Sequence, residues 1–128
     1  MSLRILVADD SPFWRETLKA NLERNSDWTV FEASNGSEAV QRSGWVHPDI
    51  AILDFFMPEL DGLHAARELK RRAPKLPIVM VTVDKTKALE AEAQRAGILA
   101  VFSKMECAQM RNFVNGVVPT KAGRGRSN

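Results

Sequence analysis

The sequence predicts an α/β domain: a doubly wound, five-stranded parallel sheet with five helices. Three observations predict it. Short apolar runs alternate five times with longer stretches of helical periodicity, the pattern of βα units stacked into a sheet covered on both faces. The length of 128 residues, 45% hydrophobic and 27% charged, suits one globular core. Four of the five apolar runs end in a residue able to do chemistry, as expected where ligands bind at the carboxyl edge of an open parallel sheet.

The first strand is Arg4–Ala8. Ser11 then offers a helix cap with Pro12 at the first helical position, and Trp14, Leu18 and Leu22 recur on one helix face. Trp28–Ala33 is the second strand. Asn35 followed by Glu38 forms a capping pair for a short second helix to about Ser43, and Trp45-Val46-His47-Pro48 then reads as a loop. The third strand, Asp49–Leu53, ends at Asp54. A third helix from about Asp61 to Ala73 is closed by Pro74, and Pro77–Val81 gives a fourth strand followed directly by Thr82. Thr86–Arg95, rich in Ala, Glu, Gln and Lys and closed by Gly97, predicts a helix with a thin apolar stripe. Leu99–Phe102 is the fifth strand, just ahead of Lys104. The last helix, Glu106 to Val118, places Met110, Phe113, Val114, Val117 and Val118 on one wide apolar face. Residues 1–118 form the domain, and residues 119–128 read as a disordered tail or truncated linker.

Charge excludes little but redirects attention. Lys121, Arg124 and Arg126 lie in the last ten residues, which hold no acid, so residues 1–118 carry fifteen bases against sixteen acids. The formal charge of +2 is therefore a property of the tail, not of a phosphate-tracking face on the body. Cys107 is the only cysteine, which excludes an intrachain disulfide and a cysteine-rich zinc site and makes the cytoplasm the expected compartment. The apolar run Ile5 to Ala8 is far too short for a signal core or a membrane span.

The polar strand ends carry the chemistry. Asp9 and Asp10 follow strand one, Asp54 strand three, Thr82 strand four and Lys104 strand five. Right-handed crossovers place strands one and three side by side at the switch point, bringing Asp10 and Asp54 together across 44 residues of chain. Carboxylates about 4 Å apart repel by roughly 4 kcal/mol per pair at an effective dielectric near 20, an upper-range figure. Such a cluster attracts a cation, and hard, solvent-open oxygen ligands suit Mg²⁺ with a phosphoryl group as second guest. A carboxylate nucleophile at Asp54, a hydroxyl donor at Thr82 and an ammonium at Lys104 complete what phosphoryl transfer to an aspartate requires. Each residue alone has a plainer reading: capping for Asp9 to Ser11, a turn for Asp54, a strand end for Thr82, a solvated charge for Lys104. Their coincidence at one sheet edge favours the joint reading.

With Ile5-Leu6-Val7-Ala8-Asp9-Asp10, Ile52-Leu53-Asp54, Met57-Pro58, Asp61-Gly62, Val81-Thr82 and Ala96-Gly97 ahead of Lys104, residues 3–118 resemble the receiver domain of bacterial two-component response regulators. Asp9-Asp10-Ser11-Pro12-Phe13-Trp14-Arg15-Glu16 is most similar to receivers that precede a LuxR-type helix-turn-helix domain. The resemblance implies a flavodoxin-like fold with strand order 2-1-3-4-5. It implies that Asp54 accepts a phosphoryl group from a histidine kinase or phosphotransfer protein. Asp10, Asp54 and the Phe56 carbonyl would ligate Mg²⁺, with Asp9 acting through a bound water. Thr82 and Lys104 would contact the phosphoryl oxygens and shift the surface of helix four, strand five and helix five. The domain would then catalyse only its own phosphorylation and dephosphorylation. A homodimer is a further expected partner, DNA only through an effector domain that this chain lacks, and a membrane none.

Some positions depart from the family pattern. Val101 stands where the family has a switch Tyr or Phe, and Phe102, one place later, should face the opposite side of the sheet. Met105 replaces a proline that follows the lysine in many members, and a non-proline cis bond costs about 3 kcal/mol, so a trans bond is expected. Phe56 and Val83 are bulky neighbours of the site and should restrict water.

His47 and His64 read as ordinary residues without a carboxylate partner, and Lys70-Arg71-Arg72 with Lys75 as a solvated face that complements its helix dipole. Trp14 should stand near the acidic site. Two competing classes differ in kind. A haloacid-dehalogenase-type hydrolase needs a second Asp two residues after the nucleophile, where this chain has Phe56. A degenerate receiver that binds partners without phosphate draws on Val101 and Met105, against the full set of Asp10, Asp54, Thr82 and Lys104.

Overall fold

A computed structural model describes residues 3–117. Strands and helices alternate: β1 (Leu3–Ala8), α1 (Pro12–Leu22), β2 (Trp28–Ala33), α2 (Gly36–Val46), β3 (Ile50–Asp54), α3 (Gly62–Arg72), β4 (Ile78–Thr82), α4 (Lys87–Arg95), β5 (Ala100–Ser103) and α5 (Cys107–Val117). All strand pairs are parallel, in the order β2-β1-β3-β4-β5. The reading of residues 119–128 as a tail or linker, and Val118 as the end of the last helix, lie outside the described residues.

The two-residue period of the strands divides the core between two faces. Ile5, Val7, Ile52 and Val79 meet Leu18 and Leu22 of α1 and Met110 and Val114 of α5. Leu6, Leu53, Ile78 and Met80 meet the small and branched residues of α2, α3 and α4. β3 and β4 are buried at every position, as an apolar run sandwiched between helix layers requires. On β5 the same alternation sends Val101 into the α2–α4 side and Phe102 to the other, where its ring meets Phe113 edge-on at 5.6 Å.

Four helices open on side-chain caps: Ser11, Asn35, Asp61 and Thr86 each accept the amide three residues on. Several boundaries shift by a single residue, so that Asp54 and Thr82 close β3 and β4, and one departs further from the sequence reading. The second helix does not stop near Ser43 but runs through Trp45 to Val46, because Val46 is buried and draws another turn onto the core. Pro48 then ends it: the residue before a proline is disfavoured in the right-handed helical region, and His47 turns to φ 53°, ψ 62° with its amide bonded to Ser43. No cis peptide bond occurs among the described residues, so the Lys104–Met105 bond is trans. Among them, no helix is long and apolar enough to cross a membrane.

Candidate functional site

Strand register builds the site. Ala8 lies opposite Leu53, so Asp9 and Asp54 reach the carboxyl edge side by side. Asp54 lies opposite Val81, which puts Thr82 one step beyond on β4, and Thr82 lies opposite Ser103, which puts Lys104 one step beyond on β5. The Lys104 amide donates to the Thr82 carbonyl at 2.9 Å, joining the two strand ends.

One carboxylate oxygen from each of Asp9, Asp10 and Asp54 lies within 4.8 Å of the other two, with Asp9 and Asp54 buried and Asp10 exposed. Lys104, 5% exposed, sets its Nζ 2.7 Å from Asp9 Oδ2 and 3.6 Å from Asp54 Oδ2. The nearer contact is a pairing of charges at an angle too poor for a hydrogen bond. Thr82 is fully buried, and its hydroxyl accepts the Asp84 amide at 3.4 Å. Asp9 Oδ1 accepts the Ser11 amide at 3.0 Å, which fixes the turn into α1.

Three acids face one base, and the electrostatics follow. Burial first, then the charge of Asp9, raise the Asp54 carboxyl from 3.8 to about 7; Lys104 pulls it back, Asp10 adds to the rise, and the Phe56 amide lowers it. Lys104 therefore leaves negative potential unanswered. Among the described residues buried Asp54 Oδ1 has no hydrogen-bond partner, an arrangement that is costly unless something cationic satisfies it. The donor set is all carboxylate oxygen, which suits a hard divalent ion such as Mg²⁺, so these residues fit one.

Of the residues expected at the site, Asp9, Asp10, Asp54 and Lys104 converge, and Thr82 ends β4 between the strand ends that carry Asp54 and Lys104. Phe56 follows in the loop after β3, where it lines an open cleft of about 540 Å³ with Asp10, Phe55, Met57, Pro58 and Asp61. Two contributions escaped the sequence. Arg15 Nη1 donates to the Asp9 carbonyl at 2.8 Å while its Nε meets Glu32 at 3.3 Å, tying α1 and β2 to the acidic turn. Its spacing of one turn from the Ser11 cap is the only signal, and periodicity gives such a residue no special mark. Gly62 lies so close under β3 that an added Cβ would collide with the Asp54 carbonyl. The expectation that His64 lacks a carboxylate partner is wrong: its Nδ1 lies 2.9 Å from Asp61 Oδ1, because the cap of α3 and the residue three places on share a helix face. Among the described residues His47 shows no such pairing.

The strand order, the helices on both faces and the acid cluster facing a lysine define a flavodoxin-like domain with an acidic site at its carboxyl edge. The chain belongs to the response regulator receiver domain family, whose model matches residues 5–115. It is 36% identical over 96 residues to the chemotaxis protein CheY of Listeria monocytogenes, covering 74% of this chain and 80% of that protein. It is 39% identical over 106 residues to a protein-glutamate methylesterase/protein-glutamine glutaminase 2 of Methanospirillum hungatei, covering 80% of this chain but only 30% of that protein. Among solved structures, a LuxR-family two-component response regulator from an Aurantimonas species superposes with a TM-score of 0.86 at 25% identity, covering 92% of this chain and 86% of that one. The response regulator domain of Thermotoga maritima CheB gives 0.80 at 28% identity, covering 92% and 94%. Receiver domains are phosphorylation-based signalling modules that bind Mg²⁺ at an acidic pocket.

Proposed function

We propose that this domain is a phosphorylation-dependent switch in which Asp54 takes a phosphoryl group from a histidine kinase or phosphotransfer protein. The observation that carries the reading is the meeting of the Asp9, Asp10 and Asp54 carboxylates within 4.8 Å, with the Lys104 ammonium against two of them. An oxygen of Asp54 attacks the phosphorus of a phosphohistidine. The phosphorus–nitrogen bond breaks, its electron pair stays on the imidazole, and an acyl phosphate is left on Asp54. Asp10, Asp54 and the Phe56 carbonyl would hold Mg²⁺, with Asp9 reached through water. When bound, the ion supplies positive charge to the phosphoryl oxygens. Thr82 supplies a hydroxyl donor and Lys104 an ammonium to the same oxygens, and both sit where β4 and β5 end, so their movement reaches α4, β5 and α5. Output passes through that surface to a protein partner, a second copy or a linked effector domain. The domain turns over no outside metabolite, and the cytoplasm is its compartment.

Incubation with Mg²⁺ and acetyl phosphate, read by intact mass, tests this. The wild type is expected to gain one phosphoryl group and Asp54→Asn none. No adduct on the wild type overturns the reading and favours a phosphate-independent interaction module; the same adduct on both overturns it by placing the acceptor at a residue other than Asp54.

Phe56, half exposed, packs edge-on against Phe55 at 4.6 Å and lines the cleft beside Asp10, and we infer that its ring narrows the approach of water to Asp54. Phe56→Asn should shorten the lifetime of the phosphorylated protein several-fold. Val83, 65% exposed, offers less cover, and Val83→Ala should shorten it less. Decay of the adduct after removal of the donor measures both, and unchanged lifetimes refute the steric account.

A further inference from the structure

We propose that Trp14 is a positioning residue for Lys104: its indole face lies 5.2 Å from Nζ and holds the ammonium in front of Asp54. The inference rests on the preceding reading of Lys104 as a ligand of the phosphoryl group.

Lys104 is almost fully withdrawn from water, and the Asp9 and Asp54 carboxylates occupy two of the directions open to its ammonium. The face of Trp14 occupies a third. An aromatic face attracts a desolvated cation without demanding a hydrogen-bond direction. It can therefore retain Nζ in the pocket while the ammonium turns from Asp9 toward an arriving phosphoryl oxygen. A carboxylate in the same place would hold it back, and a water would not hold it at all.

The backbone that carries the ring is fixed relative to the acids it serves. Ser11 Oγ accepts the Trp14 amide at 3.3 Å, and Asp9 Oδ1 accepts the Ser11 amide at 3.0 Å. The next residue, Arg15, bonds the Asp9 carbonyl at 2.8 Å. Phe13, itself largely exposed, meets the indole edge-on at 5.3 Å. The first turn of α1 is thus bound to Asp9 at both side chain and backbone, and the indole carries that geometry across to the end of β5. Trp14 is only partly buried, so it can be replaced without opening the core.

The test compares Trp14→Leu, which keeps apolar bulk, with Trp14→Phe, which keeps an aromatic face. Trp14→Leu should slow phosphorylation by acetyl phosphate about three- to tenfold, and Trp14→Phe should recover most of that loss. In a Lys104→Met background, Trp14→Leu should cause no further loss, since the cation it acts on is gone. Equal rates for the leucine variant and wild type, equal losses for leucine and phenylalanine, or an undiminished loss in the Lys104→Met background overturns the proposal. A second readout is independent of phosphoryl transfer. The ¹⁵N-coupled ammonium protons of Lys104, detectable while Nζ is held from water, should persist in Trp14→Phe and disappear in Trp14→Leu. If the wild type takes up no phosphoryl group, the functional reading fails and this resonance decides the positioning: its persistence in Trp14→Leu overturns it.

Discussion

Asp54→Asn is expected to stabilise the metal-free domain by about 2–4 kcal/mol near pH 8, even as it removes the acceptor of the phosphoryl group. The Asp54 carboxyl is raised from 3.8 to about 7, chiefly by burial and then by Asp9. Between those two values the folded protein binds a proton that the unfolded chain has released. An acid shifted upward therefore makes stability fall as pH rises through that window and stay level above it. About three units at roughly 1.4 kcal/mol each, already net of the opposing pull of Lys104, set an upper bound near 4 kcal/mol, and relaxation of the pocket around the charge lowers the expected gain. The acids shifted downward, Glu38, Asp61, Glu68 and Glu106, contribute stability of the opposite sign, which is lost only at more acid pH. Urea unfolding in chelator should show the wild type weakening between about pH 4 and pH 7 and Asp54→Asn nearly flat there. Added Mg²⁺ should restore the wild type by mass action and leave the variant less affected. A wild type that strengthens over the same interval contradicts the electrostatic picture of the pocket.

That picture was largely legible in the sequence because parallel-sheet topology leaves few choices. Once Ile5–Ala8 and Ile50–Leu53 are both fully apolar strands joined by right-handed crossovers, the acids that follow them have to emerge together. The period of two on β5 likewise separated Val101 from Phe102 without knowledge of their neighbours. What the sequence hid were contacts made across the chain. The last turn of α2 exists because Val46 finds the core, and the local signal of Trp45-Val46-His47-Pro48 pointed to an earlier loop. Arg15 acts on a backbone carbonyl, which has no residue identity to match. Trp14 could be placed near the acids, but its cationic partner, Lys104, lies 90 residues on, at the far side of the switch point.

Glycine to alanine should have opposite signs at two positions. At Gly62, the first residue of α3, an ideal Cβ would fall inside the contact shell of the Asp54 carbonyl oxygen and 2.9 Å from Phe55 Cα. Both are backbone atoms, so no rotamer change relieves the clash. The helix has to withdraw from the end of β3, stretching the 2.9 Å bond from the Gly62 amide to the Phe55 carbonyl. Gly62→Ala should therefore cost about 2–4 kcal/mol. Because the displaced peptide is that of Asp54, acetyl phosphate should also label the folded variant more slowly. Gly44 lies inside α2, and a Cβ there meets nothing within 4 Å. Gly44→Ala should stabilise by about 0.5–1 kcal/mol, since alanine loses less backbone freedom on entering a helix. Urea midpoints for both variants measure the contrast. A Gly62→Ala protein as stable as wild type would mean that α3 can move away from Asp54 freely, and the acid would then lack the rigid support that its position against Asp9 and Lys104 requires.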